Sequence, residues 1–129
     1  MVANLQALII DDNQLNGEII VTLLQEPGVE AAYASLPRQI PEMLANLPNL
    51  CVIFLDLELP NHSGFEIHRQ LRVDRNLNGI PIVAYTVHTS EMEQVRQAGF
   101  DGFLGKPIIP EHFPSQLERI LSGESVWEI

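Results

Sequence analysis

Asp11 and Asp12 follow the apolar run Ala7-Leu8-Ile9-Ile10, and Asp56 follows the run Cys51-Val52-Ile53-Phe54-Leu55. Runs this short, bounded by polar or turn residues, read as strands buried on both faces, so all three acids sit where strands leave a sheet. Open α/β sheets bind their ligands at that carboxyl edge. Acids gathered there repel one another, which is tolerable only when a cation neutralises them or one takes up a proton or a covalent group. The chemistry on offer is therefore cation binding, or a reaction on a carboxylate itself. A hydroxyl and an ammonium stand at comparable places: Thr86 after Ile80 to Tyr85, and Lys106 after Gly102 to Leu104. Each group taken singly also has a plainer use. Asp12 or Asn13 suits the N-cap of a helix at Gln14, Asp56 a turn, Thr86 a satisfied strand-end hydroxyl and Lys106 a solvated surface charge.

The elements that must position these groups alternate between strand and helix. After the first strand, Leu15, Ile19, Ile20, Leu23 and Leu24 recur at helical spacing until Pro27-Gly28 stops the helix. Glu30 to Ala34 reads as a second strand, and Ser35 and Pro37 announce a helix ending near Leu47 that Pro41 forces to begin late or kink. Ser63 and Glu66 form a capping-box pattern that predicts a helix to about Arg72, with a loop from Asn76 to Gly79. A second such pattern, Ser90 and Glu93, predicts a helix stopping near Ala98-Gly99. The last helix is predicted to begin near Pro110, with Phe113, Leu117, Ile120 and Leu121 on one face. Alternation with short connections implies a parallel sheet covered by helices on both sides, a doubly wound α/β domain. In a flavodoxin-like (βα)5 arrangement, five parallel strands in order 2-1-3-4-5, the first and third strands are neighbours and the acids meet.

With 129 residues the chain fits one domain, expected over residues 1–122 with a tail at 123–129, and leaves no room for a second output domain. Seventeen acids against seven bases, a formal net charge of −10, disfavour direct binding of nucleic acid or insertion at an anionic membrane surface. The same balance permits a divalent cation or a basic protein partner. No apolar stretch approaches the roughly 20 residues needed to cross a bilayer, and no basic segment precedes the first strand, so a cytoplasmic location is expected. The single cysteine, Cys51, reads as a core thiol, and no disulfide framework exists.

In their order and spacing, Asp11-Asp12, Asp56-x-x-x-Pro60, Thr86 and Lys106-Pro107 resemble the receiver domains of two-component response regulators. The resemblance runs from about Gln6 to Leu121, and the length is similar to that of the single-domain chemotaxis type. It implies a magnesium-dependent protein in which Asp56 accepts a phosphoryl group from a histidine kinase or phosphotransfer protein. Asp12, Asp56 and the backbone carbonyl of Glu58 then hold Mg2+, with Asp11 contributing through a water, and Lys106 faces the phosphoryl oxygens. Thr86 is implied as the switch donor and Phe103 as the aromatic that turns inward with it, the fourth helix, fifth strand and fifth helix forming the face read by a downstream protein. The family's Lys-Pro peptide is cis. Such a protein is no conventional enzyme, although it assists its own phosphorylation and dephosphorylation.

Departures from the pattern carry their own expectations. Val87 stands where most receivers have a small residue, which predicts slow phosphorylation or slow dephosphorylation. Glu58 and His88, two residues beyond Asp56 and Thr86, occupy places that tune acyl-phosphate hydrolysis in receivers. His62, His68 and His112 show no metal-ligand spacing and read as surface residues. Val126, Trp127 and Ile129 in the tail are expected to pack on the domain itself. Two other readings stay open: a degenerate receiver serving as a phosphorylation-independent interaction module, and a magnesium-dependent phosphohydrolase with an Asp nucleophile. The second wants Asp-x-Asp where this chain has Asp56-Leu57-Glu58.

Overall fold

A computed structural model describes residues 4–59 and 61–129. Pro60, the last residue of the Asp56 motif, and positions 1–3 of the expected domain lie outside the described residues. Strands β1 (Gln6–Ile10), β2 (Glu30–Ala34), β3 (Leu50–Asp56), β4 (Ile82–Thr86), β5 (Gly102–Gly105) and β6 (Val126–Glu128) form one sheet in the order β2-β1-β3-β4-β5-β6. Every pairing in it is parallel. Helices α1 (Gln14–Gln25), α2 (Ile40–Ala45), α3 (Gly64–Arg72), α4 (Met92–Ala98) and α5 (Phe113–Leu121) fill the crossovers. This is the flavodoxin-like doubly wound fold with a sixth strand added at the outer edge. No helix among the described residues is long and apolar enough to cross a membrane.

Strand alternation divides the core in two. Leu8, Ile10, Ile53, Leu55, Ala84 and Phe103 face one side, with Ile40 of α2, Ile67 and Leu71 of α3 and Val95 of α4. Ala7, Ile9, Phe54, Val83, Tyr85 and Leu104 face the other, with Ile20 and Leu24 of α1 and Phe113, Leu117 and Ile120 of α5. Burial on both faces is why the strands read as unbroken apolar runs.

Several local expectations give way to tertiary packing. The inner stripe of α1 is Gly17, Ile20 and Leu24, while Leu15 and Ile19 of the predicted apolar face are exposed. Tyr33 lies so close over Gly17 that a side chain there would meet its ring at 2.5 Å. Pro37–Gln39 forms a 3-10 turn before α2, the late start that Pro41 demands. Ser90 does not cap α4: it is enclosed in the 3-10 turn Thr89–Glu91, closed by the Glu91 amide donating to the His88 carbonyl at 3.1 Å. The last helix begins at Phe113 rather than Pro110, because the amides of His112 and Phe113 turn back onto the Ile109 carbonyl. His68 is no surface residue. It shares the inward stripe of α3 with Gly64, Ile67 and Leu71, is 2% exposed, and stacks on Phe100 with ring centroids 4.0 Å apart. Burial, with the Arg72 charge beside it, holds its pKa below the usual imidazole value. Cys51 is half-buried, and burial raises its thiol pKa.

Strand β6 is the main addition to the expected architecture. Gly102, Phe103 and Leu104 of β5 pair with Val126, Trp127 and Glu128, and Val126 enters the core. Glu128 accepts from Arg119 Nη2 and from Gln116 Nε2, each at 2.8 Å, and these bonds hold its pKa below the usual carboxylate value. The Arg96 guanidinium lies 4.5 Å over the Trp127 ring. Two glycines of β5 permit the approach: a Cβ on Gly102 would meet the Val126 carbonyl oxygen, and one on Gly105 the Ile129 backbone, each at 2.9 Å. Gly102→Ala is therefore expected to cost about 1–3 kcal/mol in the full chain by forcing β6 outward. Denaturant unfolding of the same substitution in a chain ending at Ser122 should show a clearly smaller loss.

Candidate functional site

β1 and β3 are neighbours, with Ile10 opposite Leu55, so the residues that follow, Asp11 and Asp56, come side by side. Asp11 is fully buried and Asp56 is 4% exposed. Asp12 points to solvent, and one carboxylate oxygen from each of the three lies within 4.8 Å of the others. The helix cap falls to Asn13, whose side chain accepts from the Asn16 amide at 3.2 Å. Asp12 is thus not spent on capping, and it makes no hydrogen bond or ion pair among the described residues.

Lys106 answers the acids from the end of β5. Its amide donates to the Thr86 carbonyl at 2.9 Å, fixing the chain beside β4. Its Nζ lies 3.3 Å from Asp11 Oδ2 and 3.5 Å from Asp56 Oδ2, with the side chain 10% exposed. The Lys106–Pro107 peptide is cis. Backbone amides complete the cradle: Asn13 donates to Asp11 Oδ1 at 2.9 Å and Glu58 to Asp56 Oδ1 at 3.1 Å.

One ammonium does not balance this much negative charge. Burial, hydrogen bonding with Asp11 and the Asp11 charge push the Asp56 pKa up to about 7, against the opposing pull of Lys106. Three carboxylate oxygens within a few ångströms form a donor set for a hard divalent cation, and magnesium takes this kind of oxygen ligation.

Thr86, at the end of β4, is 1% exposed, and its Oγ1 accepts the His88 amide at 3.1 Å, leaving the hydroxyl proton available. It stands one residue beyond Tyr85, the strand partner of Asp56. Val87 is 60% exposed at the lip of the site. The Glu58 carboxylate and the His88 imidazole are in contact, both half-exposed. Phe103 points inward and is fully buried, and Trp127, its strand partner, packs against the same cluster. His62 and His112 are exposed, and His62 pairs with Leu59 in the loop that follows Asp56.

Two residues beneath the site escaped the motif. Tyr85 donates its hydroxyl to Asp11 Oδ2 at 2.6 Å, and its ring lies 4.5 Å below Lys106 Nζ. Burial, then the Asp11 charge, raises its pKa, so the phenol stays protonated. Tyr33 lies near enough for Asp11 and Asp12 to add to the effect of burial in raising its own pKa, and its hydroxyl has no partner among the described residues. The signal for Tyr85 was available: a phenol inside an otherwise apolar strand needs a polar partner when buried.

A family model, response regulator receiver domain, matches residues 7–118. The chain belongs to that family. The polar-differentiation response regulator DivK of Brucella ovis is 28% identical over 116 residues, covering 88% of this chain and 94% of that protein. Among solved structures, the chemotaxis response regulator CheY4 of Vibrio cholerae aligns at 26% identity with a TM-score of 0.80, covering 92% of this chain and 99% of that one. A CheY-like receiver domain from Methylobacillus flagellatus aligns at 27% identity with a TM-score of 0.79 and the same coverage. Receiver domains are signalling proteins, and the family binds magnesium at an acidic cluster of the kind formed here by Asp11, Asp12 and Asp56.

The raised Asp56 pKa has a definite sign in stability. The folded protein holds a proton on Asp56 that the unfolded chain releases near 3.8, so this residue's contribution is lost as pH rises from there through about 7. In EDTA, Asp56→Asn is expected to melt at a higher temperature than wild type at pH 8, with the gap closing toward pH 4. A gap that does not change with pH would mean that the charge on Asp56 is not the source of the strain.

Proposed function

We propose that this receiver accepts a phosphoryl group on Asp56 from the phosphohistidine of a histidine kinase or phosphotransfer protein, in a magnesium-dependent reaction. The observation that carries this reading is the buried Asp56 carboxylate, with Lys106 Nζ 3.5 Å away and the oxygens of Asp11 and Asp12 within 4.8 Å. In the proposed step a carboxylate oxygen of Asp56 attacks phosphorus, the P–N bond breaks with its electron pair returning to imidazole, and an acyl phosphate forms. In-line transfer of this type needs mainly positioning and charge neutralisation.

Asp11, Asp12 and Asp56 are the carboxylates that would hold the metal, with the Glu58 backbone carbonyl as a further oxygen ligand. When bound, Mg2+ supplies positive charge that favours ionised Asp56 and offsets the charge of the phosphoryl oxygens. Lys106 moves its ammonium from the carboxylate pair onto those oxygens, and Thr86 turns its free hydroxyl proton toward them.

The receiver unit of residues 1–122, with the tail strand β6 added to its sheet, acts in the cytoplasm and signals by binding a downstream protein through α4, β5 and α5. Strand β6 lies along β5, so a protein reading this face meets Trp127 and Glu128, held by Arg96 and Arg119. Thr86 and Phe103 act as the switch pair, with Phe103 moving against Trp127. Neither nucleic acid nor a membrane is a direct partner of so acidic a surface.

Intact mass after incubation with acetyl phosphate and Mg2+ tests the reading. A single base-labile phosphate, absent in Asp56→Asn, is expected, with faster uptake or loss in Val87→Ala once the exposed valine is trimmed. No labelling by acetyl phosphate and no binding of beryllofluoride would leave a phosphorylation-independent interaction module. Repeated turnover of unrelated phosphate esters would instead indicate a hydrolase.

A further inference from the structure

The chain has two tyrosines, and one of them forms the floor of the acidic site. Tyr85 pairs in register with Asp56 across β3 and β4, so both side chains lie on the same face of the sheet. The ring fills the core against α1 and α5, while the hydroxyl reaches sideways under Asp56 to Asp11 Oδ2, at 2.6 Å. This is the short distance of a hydrogen bond to an ionised acceptor. Nothing in the Asp-Asp, Asp, Thr and Lys pattern calls for a phenol at this position.

The donors to Asp11 can be traced one by one. Oδ1 accepts the Asn13 amide at 2.9 Å, and Oδ2 accepts both the Tyr85 hydroxyl and Lys106 Nζ, the latter at 3.3 Å. Lys106 is shared, since the same ammonium reaches Asp56 Oδ2 at 3.5 Å and sits 4.5 Å over the Tyr85 ring. If Lys106 turns toward a phosphoryl group on Asp56, it withdraws a charged donor from a fully buried carboxylate. A buried acceptor left short of donors is costly, and more so when it is charged.

We propose that Tyr85 is a positioning residue for phosphoryl transfer, holding Asp11 through its hydroxyl so that Lys106 is free to leave Asp11 for the phosphoryl oxygens. The inference rests on the reading of Asp56 as phosphoacceptor. The phenol keeps one oxygen of Asp11 satisfied throughout, and the ring face gives the ammonium an electron-rich surface over which to move. Without the hydroxyl, Lys106 is the only side-chain donor left to Asp11 among the described residues. The resting ion pair then holds the lysine more firmly than the transition state does, and the rate falls.

Tyr85→Phe removes only the oxygen. Acetyl phosphate labelling with saturating Mg2+ is expected to show a maximal rate about tenfold lower, the equivalent of one net hydrogen bond, with donor half-saturation changed less than about twofold. If the effect passes through Asp11, the same substitution made on Asp11→Asn should add little, because that background has already lost the charge. Wild-type rates in Tyr85→Phe, or a full additive loss on Asp11→Asn, would overturn the role. Wild-type protein that takes up no phosphate would instead overturn the phosphoacceptor reading on which the role depends. A measurement without substitution guards against poor folding: the Tyr85 hydroxyl proton, followed by NMR, should remain hydrogen-bonded when beryllofluoride binds wild type. Its release on beryllofluoride binding would overturn the proposal.

Discussion

Pairing of β1 with β3 forces Asp11 and Asp56 together at the edge of an apolar sheet, where both are buried and water screens them poorly. The rest of the carboxyl edge can be understood as a response to that repulsion. Lys106 stands between the two acids, Tyr85 and the Asn13 amide donate to one, and the Glu58 amide donates to the other. Burial above all, and then the neighbouring Asp11, raises the proton affinity of Asp56 against the pull of Lys106. In the proposed function, a carboxylate held in this way exchanges its proton for a cation and then accepts phosphorus.

The same alternation that builds the core delivers the acids. Ile9 and Phe54 face α1 and α5, and two residues further along each strand the same face carries Asp11 and Asp56. Tyr85 continues the row on β4, which is how a core residue comes to touch a charged site. Packing and chemistry are therefore coupled at this edge, and a change in strand register would disperse the cluster.

The strand-terminal acids, Thr86 and Lys106 were legible because strand ends are local features: a short apolar run followed by a charge marks both the strand and its edge. Features set by distant parts of the chain were not legible in this way. His68 looks like any polar helix residue until Phe100 packs on it. Ser90 and Glu93 have the spacing of a capping box, yet the chain leaving Thr86 closes a 3-10 turn around Ser90. Val126–Glu128 is too short to announce a strand, and only the bare backbone of Gly102 and Gly105 makes a place for it. That strand lies along the edge of β5, where Trp127 covers the cluster containing Phe103.

Proton release on magnesium binding reports whether the cation takes the place of the Asp56 proton. Isothermal titration of wild type with Mg2+ at pH 7, in buffers of different ionisation enthalpy, is expected to show net proton release, since burial and the neighbouring Asp11 push the Asp56 pKa up to about 7. The release should vanish in Asp56→Asn. Magnesium binding with no proton release, or with the same release in Asp56→Asn, would mean that the cation does not displace a proton from Asp56.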